Sequence, residues 1–241
     1  MPPFTPSRLA KAIAESQISM RHSLALAAGA VASMNAVAVD NNINAVNGFT
    51  SVNTSGNTHT VTNDFVKNGT PVNVFNDFVV GDAHTVNLIV PTDADKLVNL
   101  VRNSRPEVHG ILNSYQDGSL GGNVVFASSQ GFLVGANGII NVGGLQIQTP
   151  SQSELDDWID NNFDNDVSAS ADESTPLEKL EAGQFTVSSS GLISIQGKIT
   201  AASGVSLSAD QVTVSEDGNV IVGQAAAANY IDLSAVNVGN L

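Results

Sequence analysis

The stretch Asn123–Gln148, NVVFASSQGFLVGANGIINVGGLQIQ, decides how the rest of the chain is read. It holds four short apolar runs: Val124-Val125-Phe126, Phe132-Leu133-Val134, Ile139-Ile140 with Val142, and Leu145 with Ile147. Glycines at 131, 135, 138, 143 and 144 separate them. Ile140, Val142, Leu145 and Ile147 share one face, and Asn141 and Gln146 the other, which is the period-2 signature of a strand. Gly131 is expected to hold a positive φ at a corner, where a side chain would be strained. Strands this short, turning this often, do not make a wide open sheet. They suit a chain that coils and lays each strand on an earlier one, as in a parallel β-helix.

The same stretch resembles the secretion domain of two-partner-secretion exoproteins, the filamentous-haemagglutinin-like adhesins. That family shows an Asn-Pro-Asn-Gly-Ile sequence followed by Ile-Asn-Val-Gly-Gly-Leu. The second element is intact here as Ile140-Asn141-Val142-Gly143-Gly144-Leu145. Ser128-Ser129-Gln130-Gly131 stands where the first would be. Upstream, Arg105-Pro106-Glu107-Val108 occupies the place of the family's Asn-Pro-Asn-Leu, with Pro106 and apolar Val108 fitting. The resemblance runs from about Gly48 to Thr149 and implies a right-handed parallel β-helix with an N-terminal β cap. It further implies that these eight residues serve recognition, and that the partner is an outer-membrane transporter barrel with periplasmic POTRA domains. Because both tetrapeptides are altered, turn geometry is expected to outweigh direct contact, and Ser129→Ala is expected to be nearly silent.

Composition agrees with stacked aliphatic layers. Hydrophobic residues make up 42% of 241 and aromatics only 5%, so the core must be built from Val, Ile, Leu and Ala. There is no cysteine, which excludes disulfides and thiolate metal sites. The formal charge of −14 argues against nucleic acid and anionic lipid as partners. It is read as keeping a Ser- and Asn-rich surface soluble.

The chain divides at composition changes. In residues 1–38, Arg8, Lys11 and Arg21 precede the apolar run Ser23–Ala32, and Ala36-Val37-Ala38 gives an A-x-A cleavage site. This is the order of an extended signal peptide, so the exported chain is expected to begin at Val39 and reach the medium or the outer surface. Residues 39–149 form the cap and secretion-domain coils, with Val72-Asn73-Val74 and Val86–Val90 read as half-buried strands. Leu97–Val101 fits helix or strand by spacing; the resemblance favours strand. Residues 150–184 read as an acidic helical insertion. Ser151-Gln152-Ser153-Glu154 is a capping box, Leu155, Trp158, Ile159 and Phe163 line one face, and Asp156, Asp157 and Asp160 face water. A second start lies at Thr175-Pro176-Leu177-Glu178, with Gly183 as its stop. Trp158 is expected to pack the insertion onto the strands. From 185 to 241 the strand text resumes at Leu192–Ile195, Ile199, Val205–Leu207, Val212–Val214, Val220–Val222 and Ile231–Leu233. It reads as continuing coils at the front of a longer protein.

The function expected is therefore secretion targeting of a surface adhesin, without catalysis, cofactor or metal. Host-cell or surface glycan ligands are expected only through a region further along. A polysaccharide lyase or hydrolase on the same fold is the alternative, since glycoside chemistry uses converging carboxylates. Asp77, Asp82, Asp93 and Asp95 are its candidates, read here as solvated turn residues. A purely structural surface spacer is the third. His59, His84 and His109 lack zinc-motif spacing and read as turn or surface residues. Asp164, Asp166 and Asp172 could hold Ca²⁺ loosely, but without EF-hand spacing they read as a solvated face.

Overall fold

The computed structural model describes residues 38–46, 49–64, 66–67, 70–163, 178–180, 182–223 and 230–239. All but Ala38 belong to one compact unit, Val39–Leu241. The expected signal peptide, the second helix start at 175–177 and the acidic residues Asp164, Asp166 and Asp172 lie outside the described residues. The chain is mainly β, with a large, mostly parallel sheet. Among the described residues no helix is long and apolar enough to cross a membrane.

The first strands are β1 Asn42–Ala45, β2 Thr50–Ser55, β3 Thr58–Asn63, β4 Val66–Lys67, β5 Thr70–Val80 and β6 Thr85–Ile89. Next come β7 Lys96–Val101, β8 Glu107–Val108, β9 Ile111–Gln116, β10 Ser119–Leu120, β11 Asn123–Ala127, β12 Phe132–Val134 and β13 Ile139–Gln148. Helix α1, Gln152–Phe163, precedes β14 Leu192–Ile195, β15 Lys198–Val214, β16 Asn219–Val222 and β17 Tyr230–Gly239. The ambiguous segment at Leu97 is thus strand.

The parallel pairings fall into three series. The first joins β3, β6, β9, the front of β13, the front of β15, and β16. The second joins the front of β5, β7, β11, the back of β13, the middle of β15, and β17. The third joins the end of β5, β8, β12, β14 and the back of β15. Antiparallel pairs join β1 to β5, β2 to β3 as a hairpin, β4 to β5, and β9 to β10. Gly204 does not break its strand as a turn residue would: β15 runs unbroken through four pairing partners.

Register explains the repeat. Laterally bonded asparagines are 26 residues apart at Asn73/Asn99 and Asn87/Asn113, and 28 apart at Asn113/Asn141. Across the insertion the separation jumps to 60, at Ser203 and Gly143. The insertion leaves and rejoins without disturbing register because its base is clasped. Ser188 N–H donates to Thr149 O (2.8 Å) and Ser151 N–H to Thr186 O (2.7 Å).

Alternation places Ile140, Val142, Leu145 and Ile147 in the main core, as the sequence pattern predicts. Phe75, Phe78, Phe126 and Phe132 run through it edge to face, with successive centroids 5.1, 5.1 and 5.2 Å apart. Asn73 and Asn99 are fully buried, which is tolerable only because their amides are satisfied. Asn73 Nδ2 donates to Asn99 Oδ1 (3.0 Å), Asn99 Nδ2 to Val125 O (3.2 Å), and Thr50 and Asn63 donate to Asn73 Oδ1. Such a connected chain fixes which strands stack, since a slip would strand buried amides.

Val72 and Val74 are not half-buried; both are covered, and the reason is the insertion. They join Val98, Leu100, Val125 and Ala127 in a second apolar cluster on the outer side of the second series. Leu155, Trp158 and Ile159 of α1 close it, with Leu180, and Phe185 stands edge-on to Trp158 at 6.4 Å. Strands buried on both faces read as continuous apolar runs, which is why Val124-Val125-Phe126 shows no alternation.

Candidate functional site

The two altered tetrapeptides fall at one corner of the chain, one layer apart. Pro106 disfavours the helical region at Arg105, and Glu107-Val108 then forms β8. Ser128–Gly131 makes the turn from β11 to β12. Ser128 Oγ donates to Ser104 O (3.0 Å), and Leu133 N–H donates to Pro106 O (2.9 Å). Leu133 and Val134 pair with Glu107 and Val108. A third layer, missed in the sequence, is Ser188-Ser189-Ser190-Gly191. Gly191 N–H donates to Ser188 O (3.0 Å) as Gly131 N–H does to Ser128 O (3.4 Å). The repeated Ser-Ser-x-Gly was the available signal.

Gly131 has φ +97°, and a Cβ there would lie 2.1 Å from Leu192 O. Both position and conformation therefore require glycine. Ser129 corrects its expectation of silence. It is 2% exposed, and its hydroxyl donates to Gln152 Oε1 at the start of α1. Of the eight tetrapeptide residues, Gln130 is exposed, Arg105 and Glu107 are half-buried, and Pro106, Val108, Ser128, Ser129 and Gly131 are buried.

Electrostatics gather on Glu107. Arg105 donates to Oε1 (2.8 Å) and His109 Nε2 sits 2.9 Å from Oε2. Desolvation pushes the Glu107 pKa up, but the hydrogen bonds from His109 and Arg105, with their charge, hold it below the usual value. Arg102, the residue after β7, reaches Asp156 (3.2 Å) and Asp160 on α1. Those two carboxylates therefore do not simply face water; they tie the helix to the strand it covers.

Ile140–Leu145 occupies a different corner, between the first and second series. Gly143 N–H donates to Gly122 O (2.8 Å), and a Cβ on Gly143 would lie 2.6 Å from Gly122 N. A Cβ on Gly144 would meet Asn123 Oδ1 at 2.6 Å and Ser203 Oγ at 2.8 Å. Gly143 faces main chain of the preceding layer and leaves no room for a side chain, whereas at Gly144 the crowding comes from the side-chain ends of Asn123 and Ser203. A polar recess of about 230 Å³ opens beside it, lined by Asp95, Lys96, Asn123, Gln146 and Ser203.

The capping box forms differently from expectation. Ser151 Oγ accepts from Glu154 N–H (3.4 Å), but the Glu154 carboxylate takes Thr186 N–H (2.9 Å). Ser151 N–H is already committed to Thr186 O, so the Glu154 carboxylate accepts from the Ser151 hydroxyl (2.7 Å) and from the returning Thr186 N–H instead. Gly183 ends the 178–180 helical segment as expected. Its φ is +68°, and Gln184 N–H donates to Lys179 O (2.7 Å) and Gly183 N–H to Leu180 O (3.0 Å).

Asp77 lies between the second- and third-series parts of β5, Asp82 precedes β6, and Asp93 and Asp95 precede β7, so the four sit at three corners. Asp82 accepts Val39 N–H (2.8 Å). Among the described residues no group of three His, Cys, Asp or Glu could hold a metal ion. The histidines are not loose surface residues: His59 and His84 pair at 2.9 Å, and His109 holds Glu107. The chain matches no family model and no curated protein.

Proposed function

We propose that this chain is the secretion-targeting domain of a two-partner-secretion exoprotein, folded as a right-handed parallel β-helix of three-strand coils. The observation that carries the reading is the corner at Ile140–Leu145. Its Gly-Gly pair stands where two parallel series meet, with Gly143 against the backbone of Gly122 and Gly144 against the side chains of Asn123 and Ser203. Downstream of Arg105–Val108 and Ser128–Gly131, it keeps the family's order. Three parallel series with partners about 26 residues apart suit a coil that closes once per repeat. The antiparallel β1 and the β2–β3 hairpin serve as the N-terminal cap, covering strand edges that would otherwise invite pairing.

Burial of the tetrapeptides supports recognition before folding. Five of their eight residues are enclosed once the chain is folded. A periplasmic POTRA domain would meet them on the extended chain, where main-chain hydrogen bonds supply affinity and alternate side chains supply register. The coils then form outside the cell, each on the last, and the protein ends secreted or on the outer surface.

The test is expression of the chain with and without its transporter barrel, followed by measurement of protein in the medium. Export is expected only with the barrel, and the exported chain should begin at or near Val39. Equal export in both cases would overturn the reading.

A further inference from the structure

His59 on β3 and His84 in the turn before β6 meet across the pairing that holds the β2–β3 hairpin to the next layer. His59 Nε2 lies 2.9 Å from His84 Nδ1, with ring centroids 5.2 Å apart and planes inclined by 25°. Thr54 Oγ1 takes the other nitrogen of His59 at 3.0 Å, so both its nitrogens are engaged. His59 is only 8% exposed.

A hydrogen bond between two ring nitrogens needs one N–H and one bare nitrogen. One added proton leaves that arrangement possible. Two place an N–H on each facing atom, with a positive charge on each ring. Burial and the charge of His84 are what act on His59. Asp82, two residues before His84, accepts Val39 N–H, and on the next layer Glu107 is bonded to His109. Thr54, from β2, is neutral.

The two partners differ in freedom to separate. His84 is held by its backbone: its N–H donates to Gly81 O (3.1 Å), and its carbonyl accepts from Ile111 N–H (2.9 Å). Gly110 packs so closely that a Cβ there would lie 2.3 Å from His84 O. The hairpin is the looser side, with Ser51, Asn53, Thr54 and Ser55 of β2 exposed.

We propose that the His59–His84 pair is an acid-sensitive latch, closed while one facing nitrogen is bare and open when both rings are charged. Opening frees the β2–β3 hairpin from β6. It bares the β6 edge, Thr85–Leu88, to another strand. Burial, and then the neighbouring His84, hold the His59 pKa below its ordinary 6.5. The folded form therefore binds fewer protons than the unfolded one just below that value. The latch is at full strength above about pH 6.5 and weakens as pH falls below it.

The experiment is hydrogen exchange of the folded chain at about pH 7.5 and about pH 5, corrected for intrinsic exchange. Protection of Thr58–Val61 should fall roughly tenfold or more, while β11 keeps its protection. His84→Gln should diminish that difference without abolishing it, because burial still opposes a charge on His59 while the second ring is gone. Unchanged protection at Thr58–Val61, equal loss in β11, or an undiminished difference in His84→Gln would each overturn the latch. Ring-proton titration of the unsubstituted protein gives a readout independent of the variant's folding. A His59 that titrates below 6.5 supports the proposal; one at or above 6.5 overturns it.

Discussion

Three glycine-to-alanine changes separate two penalties that coincide at Gly131. Gly118 has φ +73° with nothing within 4 Å of an added Cβ, so Gly118→Ala meets backbone strain alone. Gly138 has no positive φ, but its Cβ would lie 2.1 Å from Val108 O, so Gly138→Ala meets a backbone carbonyl alone. Gly131→Ala meets both, with φ +97° and Leu192 O at 2.1 Å. Left-handed strain costs about 1–2 kcal/mol. Forcing a methyl into a filled space costs about 1–3 kcal/mol, and here the obstacle is main chain on the adjacent layer, which cannot rotate away. The expected losses are therefore about 1–2 kcal/mol for Gly118→Ala, 1–3 for Gly138→Ala and 2–5 for Gly131→Ala. Urea unfolding followed by far-ultraviolet circular dichroism measures all three, provided the m-value stays constant. If Gly131→Ala is no worse than Gly118→Ala, the layer carrying Leu192 does not press on that corner and the stacking argument fails.

Trp158→Ala should destabilise by about 3–5 kcal/mol, because a 5%-exposed indole closes the second apolar cluster; near-ultraviolet circular dichroism and the urea midpoint report it. Ser129→Ala should cost about 1 kcal/mol through its lost bond to Gln152, and a change within error would restore the reading of an idle turn residue. Arg102→Met should weaken the docking of α1 by no more than about 1 kcal/mol, since Asp156 and Asp160 are substantially exposed, and the loss should shrink in high salt. Glu107 has a folded pKa below its usual 4.5, so its stabilisation is present above that value and lost as pH falls through the folded pKa. Glu107→Gln should flatten the acid limb of the stability profile, and an unchanged limb would remove Glu107 from it.

The strands were legible where one face is polar. Ile140-Asn141-Val142 and Leu145-Gln146-Ile147 alternate, and their buried residues are the ones that alternation selects. Val72–Val74 was misjudged because its second face is covered by a helix 80 residues downstream, and no local pattern announces so remote a cover. Asp156 and Asp160 failed for the same reason: helical spacing puts them on the polar face, but only tertiary structure brings Arg102 to that face. Gly131 and Gly183 were readable because the demand on each is local, a left-handed backbone at a turn or helix end. The His59–His84 contact was invisible at a separation of 25 residues until the layer repeat of about 26 was known.

The stacking of layers is the claim on which the rest stands, and the outward row Thr60, Asn87, Asn113, Asn141, Thr200 and Ile221 measures it. Each is paired in register with the next. The chain has no cysteine, so pairs of introduced cysteines can carry spin labels without background. Adjacent strands are about 4.8 Å apart, which places positions 87 and 200 about 14 Å apart and positions 60 and 221 about 24 Å apart in backbone. Pulsed dipolar distances should rise by that constant step with each pairing added, whatever the separation in sequence. Distances that instead follow sequence separation, or that fail to increase from 87/200 to 60/221, would contradict the stacked layers.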